Sequence, residues 1–225
     1  MNQTGSGVSA IDFAATALGC AEKSPDRQQQ LAVRRAAVAR LAPLCENPAP
    51  ELTPDDHADS CSNLRRVRRA LGDTEGARRA AERSLAIIDA ACAGVPDDVA
   101  LIYDFERSDA LSFLGRRDEA IALLTRREAA VPTSYNPPHH LARVYRDARR
   151  WDEGLSAIDR ALAKAYGPRR INLMSIKVDL LLGAGKKAEA RSVLEEQIRL
   201  YDALPPGQAQ PAGAAAARER LKQLK

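Results

Sequence analysis

Along residues 151–165 the apolar positions Trp151, Leu155, Ile158, Leu162 and Ala165 recur at steps of four and three, which lays them on one face of a helix. Asp152, Ser156, Asp159 and Arg160 fall off that face. The period continues through the chain, and Val, Ile and Thr rarely alternate with polar residues over strand-length windows, so the pattern predicts helices and no strands. Starts are marked by Ser24-Pro25-Asp26, Thr53-Pro54-Asp55-Asp56 and Asn136-Pro137, where a capping side chain precedes a proline suited to the first turn. Stops fall at Leu71-Gly72-Asp73, Leu114-Gly115-Arg116, Gly167-Pro168 and Gly183-Ala184-Gly185. Helices are therefore expected at about 8–22, 26–42, 54–71, 74–92, 97–114, 117–130, 137–149, 151–165, 169–183 and 187–203, with an Ala-rich helix near 213–224 after the linker LPPGQAQPAG.

Connections this short force neighbouring helices antiparallel, and the turns between them repeat. Gly72 to Ala77, Gly115 to Ala120, Arg149 to Gly154 and Gly185 to Ala190 align as one six-residue motif, spaced by 43, 34 and 36 residues. Paired helices that cannot bury their apolar faces alone must stack on their neighbours. The chain is thus expected to be all-α, a right-handed solenoid of antiparallel helix pairs.

The stretch LARVYRDARRWDEGLSAIDRALAKA resembles one tetratricopeptide repeat: Leu141-Ala142 and Tyr145 match its first helix, Trp151 to Gly154 its turn, and Ala161-Leu162 its second helix. Asp118-Glu119-Ala120 with Val131-Pro132, Glu189-Ala190 with Leu194, and Gly72 to Ala77 are looser copies, and Gly154 stands where the family usually has alanine. The resemblance spans about residues 54–203, leaving a helical pair without signature at 1–53 and a linker with a solvating helix at 204–225. It implies a non-catalytic scaffold that binds a protein or peptide segment on a concave face built by the first helices. Groove-facing positions then fall on Phe105, Asp109 and Ser112, on Asn136, His139, Arg143 and Arg146, and on Asn172, Ser175 and Asp179. His139, Arg143 and Arg146 share a helix face and could receive an acidic side chain or a C-terminal carboxylate; a solvated face is the competing reading. Ser62 and Arg66 do not reproduce the Lys/Asn clamp of heat-shock co-chaperones, so chaperone-tail binding is not implied.

Charge changes this picture little. Thirty-four basic residues stand against 30 acidic ones, with a net charge of +4, and only 4% of residues are aromatic, which disfavours nucleic acid. The cluster NLRRVRRALG crowds Arg65, Arg66 and Arg69 on one side and could hold phosphate, a solvated face again being the alternative. No run reaches the roughly 18 apolar residues of a membrane span, and MNQTGSGVSA lacks the pattern of an export signal; removal of such a signal stays open.

Candidate chemistry is sparse. His57, His139 and His140 are the only histidines, and neighbours on a helix diverge by roughly 100°, a poor arrangement for one metal. Asp55-Asp56 and Asp97-Asp98 sit at helix starts, where the dipole accounts for them. No catalytic residue, metal or cofactor is assigned. Of Cys20, Cys45, Cys61 and Cys92, a bridge of Cys45 with Cys61 or with Cys92 and fully reduced thiols are both open. Reduced thiols would fit the cytoplasm; a bridge would fit a periplasmic or secreted protein. Two alternatives to the scaffold remain: the helical part of a larger exported or thioredoxin-like protein, and an RNA-associated helical repeat.

Overall fold

A computed structural model describes residues 26–48 and 52–224 of the 225-residue chain. The expected helix at 8–22 and Cys20 lie outside the described residues. Among those described the secondary structure is helical: α1 Arg27–Glu46, α2 Pro54–Ala70, α3 Thr74–Ala91, a short α4 Asp97–Ala100, α5 Asp104–Phe113, α6 Arg117–Ala130, α7 Asn136–Asp147, α8 Trp151–Lys164, α9 Gly167–Gly183, α10 Lys187–Asp202 and α11 Pro211–Gln223. The all-α class and the pairing of helices through short turns follow the hydrophobic pattern.

The helix starts show which signals mattered. Asp26 caps α1, its carboxylate accepting from the amides of Gln28 and Gln29 at 2.8 and 3.3 Å. Thr53 caps α2, accepting from the Asp56 amide at 3.2 Å. Asn136 is not a cap: it is the first residue of α7, and its amide donates to Ser134 Oγ at 3.2 Å. The helix expected to end before Pro43 runs through it to Glu46. It continues because Leu41 and Cys45 are both buried against α2, and the packing outweighs the backbone hydrogen bond that proline removes. The helix expected at 97–114 is instead divided by a 3-10 turn at Leu101–Tyr103, which leaves Val99 and Ile102 exposed while Ala100 and Asp104 turn inward.

All four turn motifs are built alike. Gly72, Gly115, Arg149 and Gly185 adopt φ of 82°, 80°, 57° and 76°. The next amide in each case, from Asp73, Arg116, Arg150 or Lys186, donates back to a carbonyl of the preceding helix at 2.8–2.9 Å. This is a Schellman closure, which needs a left-handed residue and so favours glycine. The last motif position is buried in every copy, as Ala77, Ala120, Gly154 and Ala190. At Gly154 a Cβ would collide with Leu180 Cδ2, so the close approach of α9 explains the departure from alanine.

The chain divides into two compact units, residues 1–117 and 118–225. In the first, α1, α2 and α3 enclose Leu41, Cys45, Cys61, Leu64, Val67 and Ala80, and α5 packs on α3. In the second, α7 to α10 pack pairwise in order and α11 covers α10, enclosing Ile171, Val178, Leu181, Leu194 and Tyr201. α1 and α11, outside the span 54–203 of the resemblance, share the cores of the helices beside them. The stripe read on α8 is buried at Ile158, Leu162 and Ala165, and Gly154, Ala157 and Ala161 widen it because α8 lies against both α7 and α9.

Candidate functional site

Charged residues that the cores do not use stand on both helices of each pair, and those of the first helices include the groove-facing positions. Each unit presents its own face.

In the first unit this face lies on α2 and α5. The guanidinium of Arg65, only 6% exposed, is ion-paired and hydrogen-bonded to Asp109; it also lies 4.9 Å from the centre of the Phe113 ring. Arg66 approaches the same carboxylate at 3.9 Å. Arg65 is thus neither solvated nor available to a phosphate. Around this pair gather further carboxylates. Glu106 is pushed up to about 7, chiefly by burial and then by the nearby charges of Asp55, Asp59 and Asp109. Asp59 is also held above its ordinary range by burial, although it accepts from Asn63 Nδ2 at 3.0 Å. Phe105 is half-buried beside Glu106 in sequence, and the Ser112 hydroxyl is buried with no hydrogen-bond partner among the described residues.

In the second unit the face lies on α7, α9 and α11. Burial, with Arg143 and Arg146 adding to it, pushes His139 down to about 4, so this residue is uncharged at neutral pH. Its ring lies 4.8 Å from that of the buried His140, which burial likewise holds far below the usual histidine range. Arg146 is shared between Asp147 at 2.9 Å and Asp179 at 3.2 Å. The other oxygen of Asp179 accepts from Arg220 of α11 at 2.6 Å. One carboxylate is therefore clamped by two guanidiniums from different helices. Asn172 accepts from the Tyr201 hydroxyl at 3.3 Å and Ser175 from Gln197 Nε2 at 2.8 Å, so both tie α9 to α10. Asn136 sits at the start of α7, half-buried, as does Arg143 further along it.

A regularity runs through these residues. Arg66, Asp109, Arg143 and Asp179 each lie eleven positions before the last residue of their turn motif, so one structural position alternates in sign from repeat to repeat. Within each unit the face partly neutralises itself. Of the residues that make it, Asp59, Glu106 and Arg220 escaped the sequence reading, while Arg65, read there as a phosphate candidate, is paired with Asp109 instead. Arg220 carried no signal beyond its place in a helix read as a solvating cap.

The second helices are fastened separately. Glu128 of α6 receives Arg160 of α8 in a two-pronged contact at 2.9 and 3.0 Å and Lys164 at 3.3 Å, and these bonds hold its carboxyl below the usual range. On α1 and α2, Cys45 and Cys61 are joined in a disulfide with Cα atoms 4.8 Å apart; Cys92 stands outside it. His57 Nε2 lies 2.9 Å from the Cys45 carbonyl oxygen, within hydrogen-bond reach. No helix among the described residues is long and apolar enough to cross a membrane.

No protein-family model matches the chain, and no curated protein does. Solved structures do. A thermophilic tetratricopeptide-repeat protein of Thermus thermophilus superposes with a TM-score of 0.53 at 18% identity, over 94% of this chain and 98% of that one. BtubC of P. vanneervenii gives 0.54 at 15% identity, over 88% and 82%. A variant of a kinesin light chain of Podosopora anserina, with nearly identical tetratricopeptide-like repeats, gives 0.50 at 20% identity, over 89% and 96%. At these identities the likeness is one of fold, and the fold is that of the tetratricopeptide repeat.

Proposed function

We propose that this chain, folded as a tetratricopeptide-repeat array, is a non-catalytic scaffold that holds a segment of a partner protein against the first-helix faces of its repeats. One observation carries this reading: on α2, α5, α7 and α9 one first-helix position, occupied by Arg66, Asp109, Arg143 and Asp179, alternates in sign from repeat to repeat. Stacked helix pairs offer such faces to extended chains, whose side chains then meet charges at fixed intervals.

The two faces favour different chemistry. Asp55, Asp59 and Asp109 outnumber Arg65 and Arg66 on the first, and Glu106, pushed up to about 7, is only partly ionised there, which suits a basic stretch of the partner. On the second, Arg143, Arg146 and Arg220 outnumber Asp179, which suits an acidic one, and the neutral His139 serves as a hydrogen-bonding group rather than a cation. Arg143 and Arg146 remain the first anion contacts to test, Arg146 through the bonds it already shares with Asp179. The experiment is an affinity capture with wild type beside Arg143→Ala/Arg146→Ala and Asp109→Asn variants. Loss of the same partners from both variants, with helicity retained, is the expected result; identical partners and affinities for all three would move the site elsewhere.

The Cys45–Cys61 bridge favours an oxidising compartment and with it the reading as part of an exported protein. That reading concerns where the scaffold works and leaves the mode of binding unchanged.

A further inference from the structure

Away from the first-helix faces, the first unit contains a cleft of about 460 Å³ between α1 and α3, above the C-terminal half of α2. Its floor is apolar: Cys45, Leu64 and Ala80, all buried members of the core, line it. Its rim is cationic, formed by Arg68, Arg79 and Arg83 with Glu46 as the one acidic neighbour. The volume falls in the range of small-molecule sites, roughly 300–1,000 Å³.

The three arginines differ in how they are held. Arg68 is fixed: only 14% exposed, it donates to the Gly76 carbonyl and to Glu46 at 3.1 Å each, and lies 3.7 Å from Asp73. Its charge is therefore already placed at the cleft, and the lone carboxylate is already engaged. Arg79 and Arg83 stand one helical turn apart on the same side of α3. Arg79 has only an exposed contact to Glu75 at 3.4 Å, and Arg83 makes no hydrogen bond or ion pair to a described residue. The bridge from Cys45 to Cys61 pins the end of α1 to α2 and so holds one wall of the cleft in position.

Planar guanidinium forks match phosphate oxygens in pairs, and a floor of apolar side chains gains by covering an apolar group. We propose that this cleft binds a small amphiphilic anion, an organic phosphate monoester with a short apolar substituent, whose phosphate meets Arg79, Arg83 and the preset Arg68 while the substituent lies on Leu64 and Ala80. Inorganic phosphate uses the rim alone. A diacyl lipid is too large for the cavity, so the ligand is a soluble ester rather than a membrane headgroup.

The test is calorimetric titration of the full chain with phenyl phosphate and, separately, inorganic phosphate. The variants are Arg79→Ala/Arg83→Ala and, as a control, Arg78→Ala, which removes a charge from the same helix outside the cleft. One saturable site for phenyl phosphate is expected, with at least tenfold weaker binding of inorganic phosphate. The double variant should lose at least tenfold in affinity with unchanged helicity, and Arg78→Ala should behave as wild type. Absence of saturable binding, equal affinity for the two phosphates, or equal losses in the control and the double variant would each overturn the proposal. So would sedimentation with phosphatidate vesicles that depends on Arg79 and Arg83 while phenyl phosphate fails to bind.

Discussion

The indole of Trp151 rests so closely on Gly183 that a Cβ at Gly183 would lie 2.5 Å from Cζ3 and 2.7 Å from Cε3 and Cη2 of the ring. The single tryptophan of the chain is thus a packing element that joins the start of α8 to the end of α9. Replacing Gly183 with Ala raises helix propensity by at most about 1 kcal/mol, but it forces a rigid ring aside, and overpacking costs about 1–3 kcal/mol. Gly183→Ala should lower stability by about 1 kcal/mol in urea unfolding, and adding Trp151→Leu to it should recover part of that loss. A gain in stability from the single change would show that the ring yields freely.

Arg149 occupies the left-handed position that glycine fills in the other three turns. A side chain there is costly by roughly 1 kcal/mol, partly offset by the larger entropy that glycine loses on folding. Arg149→Gly should stabilise the protein by a few tenths to about 1 kcal/mol, and Gly115→Ala should destabilise it by a similar amount. Thermal unfolding of both variants checks the pair of signs.

The two faces respond oppositely to acid. Glu106 has its folded pKa raised from 4.5 to about 7, so its contribution to stability is complete below pH 4.5 and is lost as pH rises through 7. His139 has its folded pKa lowered from 6.5 to about 4, so its contribution is complete above 6.5 and is lost as pH falls through 4. Glu106→Gln should gain on wild type as pH rises across 4.5–7, while His139→Gln should gain on it as pH falls from 6.5 to 4. Parallel stability profiles of wild type and either variant would deny that side chain its shifted titration.

The bridge predicts a redox dependence. In the chain-entropy account, closing a loop of about 15 residues stabilises by about 3 kcal/mol, and Cys45 and Cys61 are 16 apart. Reduction, or Cys45→Ala/Cys61→Ala, should lower stability by up to that amount. Peptide mapping without reductant should recover Cys45 and Cys61 linked to each other. Recovery of Cys45 and Cys61 as alkylated thiols from protein isolated under oxidising conditions would remove the bridge.

How legible these features were depended on whether a residue's role is local. The turns were legible because Gly72, Gly115 and Gly185 answer to backbone conformation alone, and Arg149 could be aligned with them. Pro43 misled because its local cost is outweighed by the burial of Leu41 and Cys45, and Asn136 misled because Ser134, two residues earlier, receives the amide instead. The ion pairs were hardest. Whether Arg65 or Arg66 meets Asp109 depends on the rotation of one helix pair against the next, and α11 revealed nothing of Arg220 reaching past α10 to Asp179.

That reach gives the last prediction. Asp179 accepts Arg146 and Arg220 on different oxygens, and all three side chains are 29–37% exposed, so solvent screens each contact and a pair contributes only about 0.2–1 kcal/mol. Arg220→Ala should therefore alter stability little. It leaves one oxygen of Asp179 without its guanidinium and removes one of three positive charges from the face, so an acidic partner segment should bind less tightly. Asp179→Asn removes the internal competitor for Arg146 and should have the opposite effect, tightening the same segment and steepening its salt dependence. A double-mutant cycle on partner affinity separates the two: near-zero coupling between Arg220→Ala and Asp179→Asn would mean that α11 only caps the array and takes no part in tuning its face.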